Sequence, residues 1–221
     1  MLFRSCPALY VALRGRERCL VTPRVTKHLA FSLQPTDRVF NEKLNVFTFA
    51  DFARFAVLQS RVHAAWVRLL SSTIGIGQLN YSGSDCFDTF PFPDETSLGE
   101  TGALAAAGER LYRARAGLMA AQGFGLTETY NRLADPDHGD PAMAELRGLH
   151  FDLDRAVCGA YGWERLQVPP YGASRGGAAR RPLSAFEDEV IDRLFALNSA
   201  RAEAARMSAP RAPRPTSRRA R

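Results

Sequence analysis

The feature that most constrains this chain is a change of apolar rhythm at Pro93. Before it, the short runs Cys19-Leu20-Val21, Leu29-Ala30-Phe31 and Val46-Phe47-Thr48-Phe49 are separated by Pro23, Pro35 and polar clusters, which is the spacing of strands. After it, apolar residues recur every three, four or seven positions, which is the spacing of helices. A chain that segregates its two periods in this way predicts an α+β fold: a small antiparallel sheet with a packed helix, followed by a mainly α-helical region.

Local signals place the elements. Asp51 predicts the cap of a helix of about twenty residues whose stripe is Phe52, Phe55, Leu58, Val62, Trp66 and Leu69, one face laid on the sheet. Ser71 to Gly83 reads as a Gly/Ser-rich loop, and the run after it alternates as one further short strand until Pro91 and Pro93 end any ladder. Leu104, Leu111 and Leu118 predict a helix over Ser97 to Ala121. Asp140 with Pro141 opens another, striped by Leu146, Leu149, Leu153, Val157 and Tyr161. Ser184 and Glu187 form a capping box for a last helix burying Phe186, Val190, Leu194 and Leu197, and Gln167 to Arg181 reads as a long loop.

Composition narrows the class. With 221 residues, 46% hydrophobic and 24% charged, the chain can bury one sizeable core or two small ones. No stretch approaches the roughly 20 apolar residues of a membrane span, and the N-terminus has no secretory apolar region, so a cytoplasmic protein is expected. Cys6, Cys19, Cys86 and Cys158 show neither zinc spacing nor a disulfide framework and read as free or buried thiols. The net charge is +6, but five arginines lie in the tail from Ser208 to Arg221, expected to be a disordered basic tail, which leaves +1 for the body. A second cluster, Arg4, Arg14, Arg16, Arg18, Arg24 and Lys27 against the single acid Glu17, lies within residues 1–30.

Several catalytic motifs are excluded on chemistry. Val168-Pro169-Pro170-Tyr171 has the prolines and tyrosine of an adenine methyltransferase site, but valine offers no oxygen to the amino group of a flipped base. It reads as a proline-rich turn. Gly75-Ile76-Gly77 follows a helix, where a cofactor loop follows a strand. Lys27 and Lys43 are the only lysines, and neither has the acid spacing of a Mg²⁺-dependent nuclease. His28, His63, His138 and His150 pair with no nucleophile motif, and His63 and His150 lie beside apolar stripes. No catalytic, cofactor-binding or metal-binding residue is therefore assigned.

DNA recognition asks for residue types that do cluster here. Phosphate contacts use Arg, Lys, Ser, Thr and backbone amides, and base edges use Arg, Lys, Asn, Gln or His on a rigid element. Thr22, Arg24, Thr26, Lys27, His28, Ser32 and Gln34 lie on or between two predicted strands, with Asn80 and Tyr81 in the loop that follows. Thr22, Arg24, Lys27, His28, Gln34, Asn80 and Tyr81 are the DNA-binding candidates. The bland reading is that these are solvent-facing residues of a half-exposed sheet and that Tyr81 plugs the core.

Leu20-Val21-Thr22-Pro23-Arg24-Val25-Thr26-Lys27-His28-Leu29-Ala30-Phe31 and Ser84-Asp85-Cys86-Phe87-Asp88-Thr89-Phe90-Pro91-Phe92-Pro93, read together, resemble the C-terminal part of the adenine-specific DNA methyltransferases of type IIG restriction-modification and related phage-defence systems. The resemblance extends through Gly125-Leu126-Thr127-Glu128-Thr129-Tyr130-Asn131, Tyr161-Gly162-Trp163 and Phe186-Glu187-Asp188-Glu189-Val190. It implies a target-recognition portion that reads double-stranded DNA while an upstream domain uses S-adenosylmethionine to methylate adenine, often with a nuclease first. On that basis residues 1–95 are expected to be a partial target-recognition region, 96–207 a helical C-terminal region and 208–221 the tail. The chain departs from the family in that Ser72 to Gly83 carries no charge, with Asn80 where the family has arginine. Three readings stand: a specificity fragment that works with a separate methyltransferase or nuclease subunit, a non-functional gene remnant, or a helical protein-interaction module.

Overall fold

The computed structural model describes residues 7–74, 77–99, 102–172 and 177–208. A short helix α1 (Pro7–Leu13) leads into β1 (Arg18–Pro23), which bends at Arg24 and continues as β2 (Val25–Thr26). With β3 (Ser32–Pro35) and β4 (Leu44–Phe47), β1 forms an antiparallel sheet in the order β3-β1-β4. A second antiparallel sheet has the order β2-β6-β5, from β5 (Ser72–Ile74) and β6 (Gln78–Asn80). Pro23 has no N–H to give to a ladder, so the strand breaks there. Arg24 bridges the two sheets through its backbone, donating N–H to Lys43 O (2.8 Å) and accepting from Tyr81 N–H (2.7 Å).

The first sheet is covered on both faces because its strands alternate. Leu20, Leu33 and Phe47 face α2 (Phe52–Gln59), while Cys19 and Val21 face α1 with Leu13. The Asp51 cap forms as expected, its Oδ1 accepting from Arg54 N–H at 2.7 Å. The single long helix expected after it is instead two, α2 and α3 (Arg61–Leu70), broken at Ser60, whose ψ of 161° is extended. Ser60 closes one and opens the other: its hydroxyl donates to Val57 O (2.7 Å) and accepts from His63 N–H (3.3 Å). The break rotates the stripe, so Leu69 at its far end stays exposed.

Two further expectations are corrected before Pro93. The segment read as a Gly/Ser loop holds β5 and β6, and the expected extra strand after it is a single π-helical turn, Gly83–Phe87, whose Ser82 side chain caps it. Beyond that turn Thr89 and the Phe-Pro-Phe-Pro run form no helix or strand, and three of their carbonyls are taken up by side chains from the helices. Asn198 donates to Thr89 O (2.9 Å), Tyr161 to Pro91 O (2.8 Å) and Arg201 to Phe92 O (2.7 Å).

The helical region is α4 (Ala103–Gln122), α5 (Leu126–Leu133), α6 (Pro141–Ala160) and α7 (Gly177–Ser208). Asp140 caps α6 with Pro141 in its first turn, as the sequence predicts. α5 is too short to carry a periodic signal and was not expected as a helix. α7 starts seven residues before Ser184 and runs through Pro182, so the capping box does not form and Glu187 pairs with Arg68 of α3 instead. Of the tail expected to be disordered, Ser208 is the last residue of α7 and the rest lies outside the described residues, as do Cys6 and Gly75-Ile76; Cys19, Cys86 and Cys158 are free and buried. Among the described residues no helix is long and apolar enough to cross a membrane.

One apolar core runs across residue 95. It joins Ala53, Ala56 and Val57 of α2 to Leu111, Leu133, Leu146, Leu153, Val157, Phe186, Val190 and Leu194. α2 and α4 approach so closely at Gly108 that a Cβ there would sit 2.3 Å from Phe52 O and 3.1 Å from Ala56 Cβ. Gly108→Ala is therefore expected to cost about 1–3 kcal/mol through overpacking. Gly117→Ala on the same helix meets nothing within 4 Å and is expected to stabilise by roughly 0.5–1 kcal/mol. Urea unfolding of the two variants checks the contrast.

Candidate nucleic-acid interface

The second sheet and the bend at Arg24 carry the exposed cations. Arg24, Lys27 and Lys43 are all exposed, and among the described residues none has a carboxylate partner. Arg24 donates only to the backbone oxygen of Glu42 (3.4 Å). Nearby helix arginines are neutralised in contrast: Arg54 by Asp51 and Glu95, Arg61 by Asp154 and Arg68 by Glu187. A surface charge left unpaired beside concave relief retains its field for an anionic partner.

Three hollows surround this strip. The first, about 600 Å³, is lined by Arg24, Val25, Asn41, Lys43 and Asn80 among others. The second, about 260 Å³, lies between β2 and the start of α5 and includes Thr26, Lys27, His28, Thr127 and Tyr130. The third, about 680 Å³, has Lys27 and His28 on one side and Arg61, Arg68, Pro169 and Tyr171 on another. Lys27 and His28 thus stand on the ridge between two hollows.

The segment that carries them, between β2 and β3, has no ladder partner, and side chains satisfy its backbone instead. Gln59 of α2 accepts Phe31 N–H with Oε1 (2.9 Å) and donates Nε2 to Leu29 O (3.1 Å). Arg115 of α4 donates to Phe31 O (2.6 Å), to Gln59 Oε1 (3.0 Å) and to Tyr130 Oη (2.8 Å). Thr22 donates to Ala30 O (3.0 Å) and Thr26 to His28 O (2.7 Å). Arg115 is 2% exposed, and its guanidinium is also covered by the rings of Phe55, Tyr112 and Tyr130 at 5.5–5.8 Å. Carbonyls and ring faces stand in for the water this cation has lost.

The predicted site residues divide accordingly. Arg24, Lys27, His28 and Asn80 border the hollows. Gln34 lies opposite Cys19 in the ladder and so belongs to the α1 side of the first sheet, where it hydrogen-bonds Ser32 and Arg38. Thr22 and Tyr81 are fully buried: Tyr81 Oη meets His63 Nε2 at 3.0 Å, and burial drives its hydroxyl pKa well up. Neither hydroxyl is presented to a ligand; both hold the strip from beneath. Lys43, Asn41 and Asn131 were not singled out beforehand. Lys43 sits in a loop with no local periodicity, and Asn131 reaches the strip only because α5 folds back over a sequence distance of about a hundred residues.

Val168-Pro169-Pro170, read from sequence as a proline-rich turn, has no regular structure, and the turn falls at Tyr171 and Gly172. Arg61 donates to Pro169 O (2.5 Å) and Pro170 O (3.3 Å) while holding Asp154 through its backbone N–H (2.7 Å) and Nε (2.6 Å). Burial pushes the Asp154 carboxyl above its usual range against those bonds. Tyr171 stacks on His150 at 4.5 Å. Among the described residues no group of three or more His, Cys, Asp or Glu side chains could hold a metal.

An exposed basic strip on a small sheet, braced by a helical block, offers an anionic partner a rigid surface. Residues 6–94 match the family model of the target recognition domain of MmeI. A solved structure of the type IIL restriction-modification enzyme MmeI in complex with DNA is similar over 83% of this chain, with 18% identity and a TM-score of 0.55, a likeness of fold. The chain spans 22% of that protein's length. No curated protein matches.

Two predictions come from the buried polar groups. Gln59→Leu strands Phe31 N–H and Leu29 C=O and is expected to destabilise by about 2–5 kcal/mol, read from chemical denaturation. His150 is held neutral by burial and by the nearby charges of Arg115 and Arg61, with its pKa lowered from 6.5 to about 3. Between those values only the unfolded chain takes up the proton, so its stabilisation, full above 6.5, is lost as pH falls. Relative to His150→Phe, the native protein is expected to lose about 1.4 kcal/mol per pH unit below 6.5, measured by unfolding at stepped pH.

Proposed function

We propose that this chain reads DNA sequence as the specificity portion of an adenine-specific restriction-modification methyltransferase acting in phage defence in the cytoplasm. Residues 1–95 would form the reading surface and 96–207 its helical support. The observation that carries the reading is the hollow lined by Arg24, Lys43, Asn41 and Asn80, where two cations without a carboxylate partner among the described residues stand beside amides and outnumber the one acid in its lining, Glu42. Cations fix a duplex by its phosphates, and amides discriminate base edges. Methyl transfer from S-adenosylmethionine is assigned to a catalytic domain or subunit other than these residues, since Val168 cannot accept from a base amino group. The DNA-reading part of the proposal is supported by the likeness in fold to the MmeI structure, which is a complex with DNA.

The test is retention of a random-sequence duplex library by the purified chain at low and moderate salt, followed by sequencing. An enriched motif that survives added salt is expected. Arg24→Ala with Lys43→Ala should weaken binding and lower the slope of log affinity against log salt by about 0.9 for each phosphate contact removed. Arg113→Ala, whose guanidinium is already paired with Glu109 on α4, should leave binding unchanged. Equal, motif-free binding by all three proteins would sink the reading.

A further inference from the structure

We infer that the DNA-contacting surface does not end with the segment matched as a target recognition domain but continues onto α5, where Asn131 is itself a contact residue. The inference rests on the recognition reading above and adds to it a residue from the helical region.

The geometry settles which way the Asn131 amide faces. Lys27 Nζ lies 2.7 Å from Asn131 Oδ1, and an ammonium can only donate, so the atom it meets must be the oxygen. His28 Nε2 lies 2.9 Å from the same oxygen and therefore carries its proton on Nε2. With Oδ1 committed to two donors, the Nδ2 amino group has no protein partner among the described residues, and the side chain is only partly buried. Two amide N–H donors are thus left open beside Lys27 and His28, the two residues that line both the 260 Å³ and the 680 Å³ hollow. Phosphate oxygens and the acceptor edges of bases are what such a pair binds.

The position is built rather than incidental. The neighbouring Tyr130 is 3% exposed, receives the Arg115 hydrogen bond and stacks on His28 at 6.1 Å, which fixes α5 against the β2 segment. The acid one turn earlier, Glu128, is paired with Arg132 at 2.7 Å, so its charge is offset where a duplex would approach. Double-stranded DNA is the occupant that matches an exposed lysine without a carboxylate partner beside a free amide N–H pair.

The experiment compares wild type with Asn131→Leu and Asn131→Asp, using the DNA motif enriched from the library as probe and thermal melting as the fold control. Asn131→Leu removes donors and acceptor at similar volume and is expected to weaken binding about tenfold with melting nearly unchanged. Asn131→Asp keeps the acceptor for Lys27 and His28 while replacing the free donors with charge that repels phosphate. It is expected to stay folded and to bind more weakly still. Wild-type affinity in the Asp variant would show that only the orientation of Lys27 and His28 matters and would overturn the contact role, as would full affinity in the Leu variant. A wild-type chain that retains no duplex would strike down the recognition reading, and this inference with it.

Discussion

The structure depends on how the unpaired backbone between β2 and β3 is satisfied. A segment without ladder partners cannot be buried unless its N–H and C=O groups find other bonds, because each orphaned group costs roughly 1–3 kcal/mol. Gln59 meets two of them and Arg115 a third, and both side chains come from helices. The same bonds therefore perform two tasks. They weld the sheet to α2 and α4, and they hold Lys27 and His28 on a rigid ridge rather than on a loose loop.

Burying Arg115 without a carboxylate explains why that weld is specific. An acidic partner would neutralise the guanidinium but would make no demand on the main chain. Here its donors are distributed over a backbone carbonyl, an amide and a phenol from three different elements, so the cation is accommodated only when all three are in place. His150, kept neutral beside it, belongs to the same arrangement. Thr89 and the Phe-Pro-Phe-Pro run repeat the principle, with carbonyls outside any ladder taken by Asn198, Tyr161 and Arg201. The segment before Pro93 and the helices after it are consequently one packed body. The matched stretch ends at residue 94, whereas the core containing Ala56 and Leu111 does not.

Much of the architecture was legible from pattern. The α+β division at Pro93, the Asp51 and Asp140 caps and the leucine faces of α4 and α6 follow from periodicity and capping chemistry, which act over a few residues. The misreadings share a cause. The break at Ser60 and the extension of α7 through Pro182 are places where long-range packing overrides a local signal, and β5 with β6 forms because β2 offers an edge to pair with. For the site, Arg24, Lys27, His28 and Asn80 could be named from residue type, while Thr22 and Tyr81 have suitable chemistry but face inward.

What the sequence by itself determined was the class of element at each stretch, the absence of an oxygen at position 168 where base chemistry needs one, and a set of cations and amides suited to nucleic acid. These depend on side-chain chemistry and on spacing within a turn or a strand. Which of those cations stay unpaired, which hydroxyls are buried, and that Asn131 meets Lys27 across about a hundred residues were decided only by the tertiary structure. Pairing and burial depend on distances between elements far apart in the chain, and no local pattern encodes those distances.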